Sequence, residues 1–598
     1  MAKKKIVPID YTSRDFDSIR NDLITYVKRY YPDTYKDFNE ASFGSLMLDT
    51  VSYVGDMLSF YLDYQANESF LETSIEYDNV VKHARQMGYK FSGTPMTYGE
   101  CTFYILIPAA AGTVTPDQRY IPTLLKGTQV TSPADTVFTL NENVNFADPS
   151  NEMVVARTDA NGAPTYFAIR AEGQVVSGDL MIEEVEIGDF MRFNKVELAG
   201  SNISEIVTVM DSLGNEYYEV DFLSQDVIYK EIVNRGAHRE SVPSIMKAYP
   251  AQRRFVVEVE KGVTHLQFGY GSDSELTSNS VVDPSEVVLN VHGKNYVTNT
   301  SFDPKNLTST DKFGIAPSNT TLTVVYRRNT NENSNVSAGV LNKVINVDLY
   351  FPERASLDSA KIQFISSNIE CTNESPVVGH VSLPSTEEIK RRAINVFATQ
   401  NRAVTKQDYV TCVYAMPSRF GAVKRCAVYR DNDELKRNLN LYVISENSTG
   451  QLVATNSSIK ENLRTWLNEV RMIGDTIDIL NAKIVNIGIE FEAVAQDGSD
   501  KNAVLNNAIQ ALSEKMTKIH RDIGEPLYVT DVFSILKDVE GLLDVTDVRI
   551  VSKSGSSYSE NSISIRENLS PDGRYLHIPF DSILEIKFPY TDIVGAIR

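Results

Sequence analysis

Residues 45–70 constrain the fold more than any other stretch of this chain. Leu46, Thr50, Tyr53, Met57, Phe60 and Tyr64 recur at steps of 4, 3, 4, 3 and 4, and Leu48, Val51, Gly55, Leu58 and Leu62 at steps of 3, 4, 3 and 4. Each spacing keeps returning to one face of an α-helix, so one helix is predicted over about 45–70. Two apolar stripes on a single helix need cover on two sides. Met47, Tyr53, Met57, Phe60, Tyr61 and Tyr64 make a methionine and aromatic surface too large to be left to water. Two readings are open: the other two helices and the next domain cover it, or part of it packs on another chain. The interface candidates are Leu46, Leu48, Val51, Tyr53, Met57, Leu58, Phe60, Tyr61 and Tyr64.

Helices are expected on both sides of this one. The first starts near Ser13 as N-cap, with Asp15 and Asp17 in its first turn, carries Phe16, Ile19, Leu23, Tyr26, Val27 and Tyr30 on its stripe, and ends at Pro32. The third spans about 74–87 and closes at Gly88. From Tyr98 to about Tyr326 the pattern changes to short apolar or alternating runs broken by Gly, Pro, Asn and Asp, at 102–107, 153–157, 206–210, 255–260, 287–291 and 322–327. These read as strands, and no fixed-period repeat points to a solenoid or propeller. Asn/Ser/Thr-rich stretches at 295–319 and 329–337 read as loops.

Past Pro384 the pattern is mixed. Ser385 and Glu388 form a capping box for a helix reaching about Thr399, and Thr405 and Asp408 open a shorter one. Strands at 422–429 and 439–445, a helix at 457–472 with Trp466, and the alternating strand Val485, Ile487, Ile489, Phe491, Ala493 follow. A helix at 501–519, a helical turn at 532–536, a strand at 545–551 and strand-like alternation from Arg574 complete the chain. The expected class is multidomain α+β: an N-terminal helical bundle segment (1–95), β-rich middle domains (96–345), a helical connector (346–420) and C-terminal α+β domains (421–598).

With 598 residues the chain is long enough for about four domains. A net charge of −21 disfavours general binding to nucleic acid or to an anionic membrane surface. Lys3, Lys4 and Lys5 are the one dense basic run, and no apolar h-region follows them, so no signal peptide is expected. The most apolar short segment, 103–111, is half the length of a membrane span and reads as a buried strand. Cys101, Cys371, Cys412 and Cys426 form no CxxC pair, so free buried thiols are expected rather than disulfides or a zinc site.

Catalytic and cofactor signatures are missing from the sequence. There is no phosphate-binding G-x-x-x-x-G-K-[ST], no HExxH and no G-x-S-x-G, and no two of the seven histidines lie i, i+4. Ser457-Ser458-Ile459-Lys460 reads better as a helix N-terminus than as an S-x-x-K nucleophile site. Asp431-Asn432-Asp433-Glu434 and Asp497-Gly498-Ser499-Asp500 read as turns, and Gly269-Tyr270-Gly271 is too short for a dinucleotide loop. Sequons such as Asn306-Leu307-Thr308 carry no weight without secretion. No enzyme activity, cofactor or metal is expected.

Three stretches together resemble a known family. They are Tyr11-Thr12-Ser13-Arg14-Asp15-Phe16-Asp17-Ser18-Ile19, followed by 46–71 with Gly55-Asp56 and Asn67-Glu68 and closed by Gly88-Tyr89; residues 217–226 with Leu266-Gln267-Phe268-Gly269-Tyr270-Gly271; and Asn401-Arg402-Ala403-Val404-Thr405-Lys406-Gln407-Asp408-Tyr409, preceded by Glu387-Glu388-Ile389-Lys390. Their order and spacing are similar to the baseplate J-like proteins of contractile-tailed phages; the long helical N-terminus and the C-terminal segments 487–491 and 523–532 make the chain most similar to the wedge subunits of T-even-type baseplates. Three turn elements depart from the pattern: Phe268-Gly269-Tyr270-Gly271, Arg328-Asn329-Thr330-Asn331 and Pro376-Val377-Val378-Gly379-His380. The resemblance gives structural rather than catalytic roles to Gly88, Phe268, Gly269, Gly271, Arg402, Thr405, Asp408 and Tyr409.

The resemblance implies a structural subunit, assembled in the host cytoplasm and resident in the virion tail baseplate. Two copies per wedge would bundle their N-terminal helices with another wedge protein. Their arms would meet neighbouring wedges in a ring around the central hub and beside sheath-initiating proteins, and the ring would rearrange to trigger sheath contraction. No nucleic acid or membrane insertion is implied. The alternative is a receptor-binding or tail-fibre protein, which would be expected to show a repetitive β shaft; a carbohydrate-active enzyme on a β scaffold is a further rival.

Overall fold

The computed structural model describes residues 15–34, 36, 39, 42–90, 93–110, 115–159, 162–233, 244–260, 262–271, 313–431, 438–517 and 521–598. The strand expected at 287–291, motif residues Tyr11, Thr12, Ser13 and Arg14, the run Lys3, Lys4, Lys5, the sequon at Asn306 and the turn residues Asn432, Asp433 and Glu434 lie outside them. The described residues fall into two compact units, one within Met1–Lys90 and Pro384–Ala398, the other within Phe91–Leu383 and Thr399–Arg598.

The smaller unit is helical. Helix α1 spans Phe16–Tyr30 and is capped by Asp15, whose carboxylate accepts from the Ser18 N–H. The helix thus starts two residues later than expected, with Asp15 rather than Ser13 as its N-cap. Helix α2 spans Phe43–Glu68 and starts at Ser42, whose Oγ accepts from Ser45 N–H at 3.1 Å. Helix α3 spans Tyr77–Gln86, and its N-cap Glu76 makes no side-chain cap. The Glu68 carboxylate at the end of α2 serves instead, accepting from Ile75 N (2.7 Å), Glu76 N (3.3 Å) and Asn79 Nδ2 (2.9 Å). Asn79 and these backbone donors hold the Glu68 carboxyl below its usual range. After α3 the chain turns at Gly88, whose φ of 91° is the left-handed value a C′ glycine supplies. The segment Pro384–Ala398, most of it in the helix Thr386–Thr399, also belongs to this unit. Ser385 Oγ accepts from the Glu388 N–H at 3.3 Å, as its capping signature predicts. Ile389 and Ala393 are buried, and Lys390 Nζ donates to the Glu72 carbonyl at 3.1 Å.

The larger unit is built on four main sheets. The first runs Lys343–Asn346, Gln129–Thr131, Val137–Leu140, Pro164–Ser177, Tyr98–Pro108, Glu370–Thr372, with Met153–Thr158 added on Pro164–Ser177. The expected buried strand is here: Tyr98–Pro108 pairs along its whole length with Pro164–Ser177, and Phe103, Ile105, Phe138 and Ile169 pack in its core. The second runs Asp179–Ile187, Thr320–Arg328, Ile203–Asp211, Glu216–Glu219, Arg254–Glu260, Val263–Phe268, Lys195–Ser201, over a core of Val209, Tyr217, Phe255, Leu266 and Phe268.

The C-terminal part is α+β. Arg425–Arg430, Asn438–Glu446 and Leu452–Val453 form a sheet with Thr476–Asn481, and the helices Lys406–Tyr414 and Ser457–Val470 pack their Tyr409, Cys412, Leu463 and Leu467 into its core. The last sheet centres on Lys483–Ala495, flanked by Leu542–Ser552 on one side and by Ser582–Glu585 and Ile593–Ile597 on the other. Val504, Ala508 and Leu512 from the helix Lys501–Thr517 pack there with Val532 and Leu536. The helical turn expected at 532–536 is a full helix, Val529–Lys537, because packing outweighs the weak helix propensity of its β-branched start. The four cysteines are buried free thiols. The class is therefore as expected: N-terminal helices, β-rich middle sheets and a C-terminal α+β region.

Candidate assembly interface

In α2 the usual relation between polarity and burial is inverted. Its buried residues are Ser45, Ser52 and Glu68. Its apolar residues face outward: Leu46, Val51, Tyr53, Leu58, Phe60, Tyr61 and Leu62 are each more than half exposed, with Met57 and Tyr64 near two-fifths, while Leu48 is half-buried. Helix α1 accounts for the inversion. It lies on the side of Ser45, Asp49 and Ser52, where Arg20 Nε donates to Asp49 and Arg20 Nη2 approaches Ser45 Oγ at 3.4 Å. Ile19 fills the space beside Gly55, since a Cβ there would stand 3.2 Å from Ile19 Cδ1. Polar contacts and a glycine thus attach α1, and the bulk of the apolar surface is left over.

At ~100° per residue the two predicted stripes lie roughly 160° apart. Met47, Val54 and Tyr61, all about half exposed or more, occupy the arc between them, so the stripes merge into one apolar face. Phe60 stacks on Tyr64 at 6.4 Å and meets Tyr61 edge-on at 5.9 Å. The sequence reading missed several exposed apolar residues in and beside these helices: Phe43 (73% exposed) at the start of α2, Phe70 just beyond its end and Tyr31 just after α1. Tyr26 and Tyr30, read as stripe residues of α1, are about half exposed and touch each other at 4.7 Å. Their i, i+4 spacing was the available signal, but spacing does not say which side of a stripe its neighbour takes.

The other predicted residues belong to separate structural devices. Gly88 closes α3. Phe268 is fully buried, with its ring edge-on to Tyr217 at 5.4 Å. Gly269 permits a close backbone crossing: a Cβ there would lie 2.2 Å from the carbonyl oxygens of Phe313 and Gly314. Gly271 bridges Ile315, donating to Gly314 O at 2.9 Å. Thr405 and Asp408 form a complete capping box: Asp408 Oδ2 accepts from Thr405 N (2.8 Å), and Thr405 Oγ1 accepts from Asp408 N (3.2 Å). Arg402 lies just before it, after Gln400 and Asn401, both at positive φ. Tyr409 is buried and donates to Asp475 Oδ2 at 2.6 Å, and burial together with that carboxylate pushes its hydroxyl pKa up. Among the described residues no group of three or more His, Cys, Asp or Glu is arranged to hold a metal ion, and no helix is long and apolar enough to cross a membrane.

Residues 15–86, which span α1 to α3, match the family of bacteriophage baseplate protein N-terminal domains. That match supports a structural protein of a phage baseplate. No curated protein matches the chain. Among solved structures, a chain of the anti-feeding prophage baseplate, determined by cryo-EM with 6-fold symmetrisation, is similar over 96% of this chain and 90% of that one, at 9% identity and a TM-score of 0.24.

Proposed function

We propose that this chain is a wedge subunit of a contractile-tail baseplate. Two copies in each wedge bundle their α1–α2 helices with a third helix from another wedge protein. The β-rich and α+β parts reach neighbouring wedges, closing a ring around the central hub, near the proteins that initiate the sheath. Rearrangement of that ring triggers sheath contraction and genome ejection. Assembly takes place in the host cytoplasm and the product resides in the tail baseplate of the virion.

The observation that carries this reading is the inverted burial of α2, which leaves a long helix with its apolar residues outward. An apolar surface of this size marks an interaction site, and on a helix with two stripes other helices are the natural cover. The match of residues 15–86 to a baseplate N-terminal domain says which kind of assembly would provide them. Quantitative mass spectrometry of purified particles tests the proposal. A ratio of two copies to each single-copy wedge protein is expected. A trimeric ratio on appendages that can be removed without losing the baseplate would overturn it in favour of a fibre.

A further inference from the structure

The larger unit contains a cavity of about 240 Å³ far from the helical face in sequence. Tyr98 of the first sheet, Glu205 and Arg327 of the second, and Arg419, Phe420 and Asn462 of the C-terminal α+β part line it. Arg327 and Glu205 are register partners on adjacent strands. The Arg327 side chain is only 8% exposed, yet its Nε has no hydrogen-bond acceptor. Glu205 Oε2 stands 3.8 Å from it, beyond hydrogen-bond reach, and Nη1 makes only a long 3.5 Å approach to Gly178 O. A guanidinium has five N–H donors, and a buried cation with donors unmet is costly.

Arg419 brings a second guanidinium. It lies over the Phe420 ring at 5.0 Å, and Tyr98 OH fixes the backbone there by donating to Arg419 O. The one carboxylate lining the cavity is Glu205, whose pKa desolvation pushes up against the pull of Arg327 and Arg419. Two cations therefore face at most one anion.

We propose that this cavity binds a small tetrahedral oxyanion of the phosphate or sulfate type, with Arg327 on its inner wall and the exposed Arg419 at its entrance. Guanidinium forks suit such oxygens because parallel N–H groups reach two of them at once. The space is ample: at ~30 Å³ per water it corresponds to roughly eight waters, enough for one anion and its remaining hydration. Because the lining comes from three regions of the fold, a bound anion ties them together and raises stability by mass action. This inference does not depend on the wedge reading.

Calorimetric titration of the full chain with inorganic phosphate, and with sulfate in parallel, is the test. Saturable single-site binding is expected for at least one of the two anions, with a rise in thermal midpoint. Arg419→Gln, at an exposed position that leaves folding intact, should weaken binding about tenfold or more. Glu205→Gln removes the opposing charge and should tighten it, a gain that damage to the fold would not produce. Absence of saturable binding by either anion into the tens of millimolar, or binding indifferent to both substitutions, would overturn the proposal and leave a cavity that holds water only.

Discussion

Replacing Tyr53 and Phe60 together by alanine should leave the isolated chain folded and abolish its assembly. Tyr53 is 58% and Phe60 66% exposed. An aromatic side chain buries ~200 Å² when fully covered, so a partner could take about 115 and about 130 Å² from these two. At ~25 cal/mol per Å² each contributes ~3 kcal/mol, and the pair ~6 kcal/mol, or roughly four orders of magnitude in affinity. Within the free chain the substitutions remove little beyond the contacts of Phe60 with Tyr61 and Tyr64, and alanine favours the helix. The assay has two arms: thermal unfolding of the variant at concentrations where the wild-type chain is monomeric, and co-purification with co-expressed baseplate proteins. The reasoning fails if the monomer's midpoint drops by more than ~5 °C, since that would mean the face is an internal core. It fails equally if the variant assembles as well as wild type.

Three further outcomes follow from local geometry. Gly269→Ala sets a methyl group 2.2 Å from two carbonyl oxygens, so denaturant unfolding should show a loss of ~2 kcal/mol or more as the backbone parts beside Phe268. Asp408→Ala removes the acceptor for Thr405 N and Val404 N and should cost ~1 kcal/mol in the same measurement, whereas a loss near zero would mean that water replaces the cap. His380 has a buried Nδ1 without a partner, and burial depresses its pKa, with Lys424 acting in the same direction and Glu446 and Glu332 opposing. The unfolded chain therefore binds this proton more readily, so the contribution to stability is full above pH ~6.5 and is lost as the pH falls through the depressed folded value. His380→Asn should flatten that acid limb, and an unchanged pH profile would show that His380 does not cause it.

Local signals in the sequence translated well, and long-range ones did not. The capping box at Thr405 and Asp408 is contained in four residues and appears as predicted. The stripes of α2 were visible because helical periodicity is itself a local property. Which side α1 would take was not visible. It depends on Arg20 finding Asp49 and on Ile19 fitting beside Gly55, pairings between residues about thirty positions apart. Strand pairing was further out of reach: Lys343–Asn346 lies beside Gln129–Thr131, two short strands that nothing in either sequence matches to the other. The cavity with Arg327 and Arg419 was hidden for the same reason, because three regions must fold before its lining exists.

The discontinuity of the helical unit also has a timetable. Residues 384–398, with the buried Ile389 and Ala393, leave the ribosome only after the whole stretch Phe91–Leu383 has been made. At ~5–20 residues per second that interval is roughly 15–60 s. For that time α1 to α3 emerge with their aromatic face outward and without the segment that completes their unit. The helical unit can therefore close only after the inserted stretch has been translated, although its first three helices are made before it.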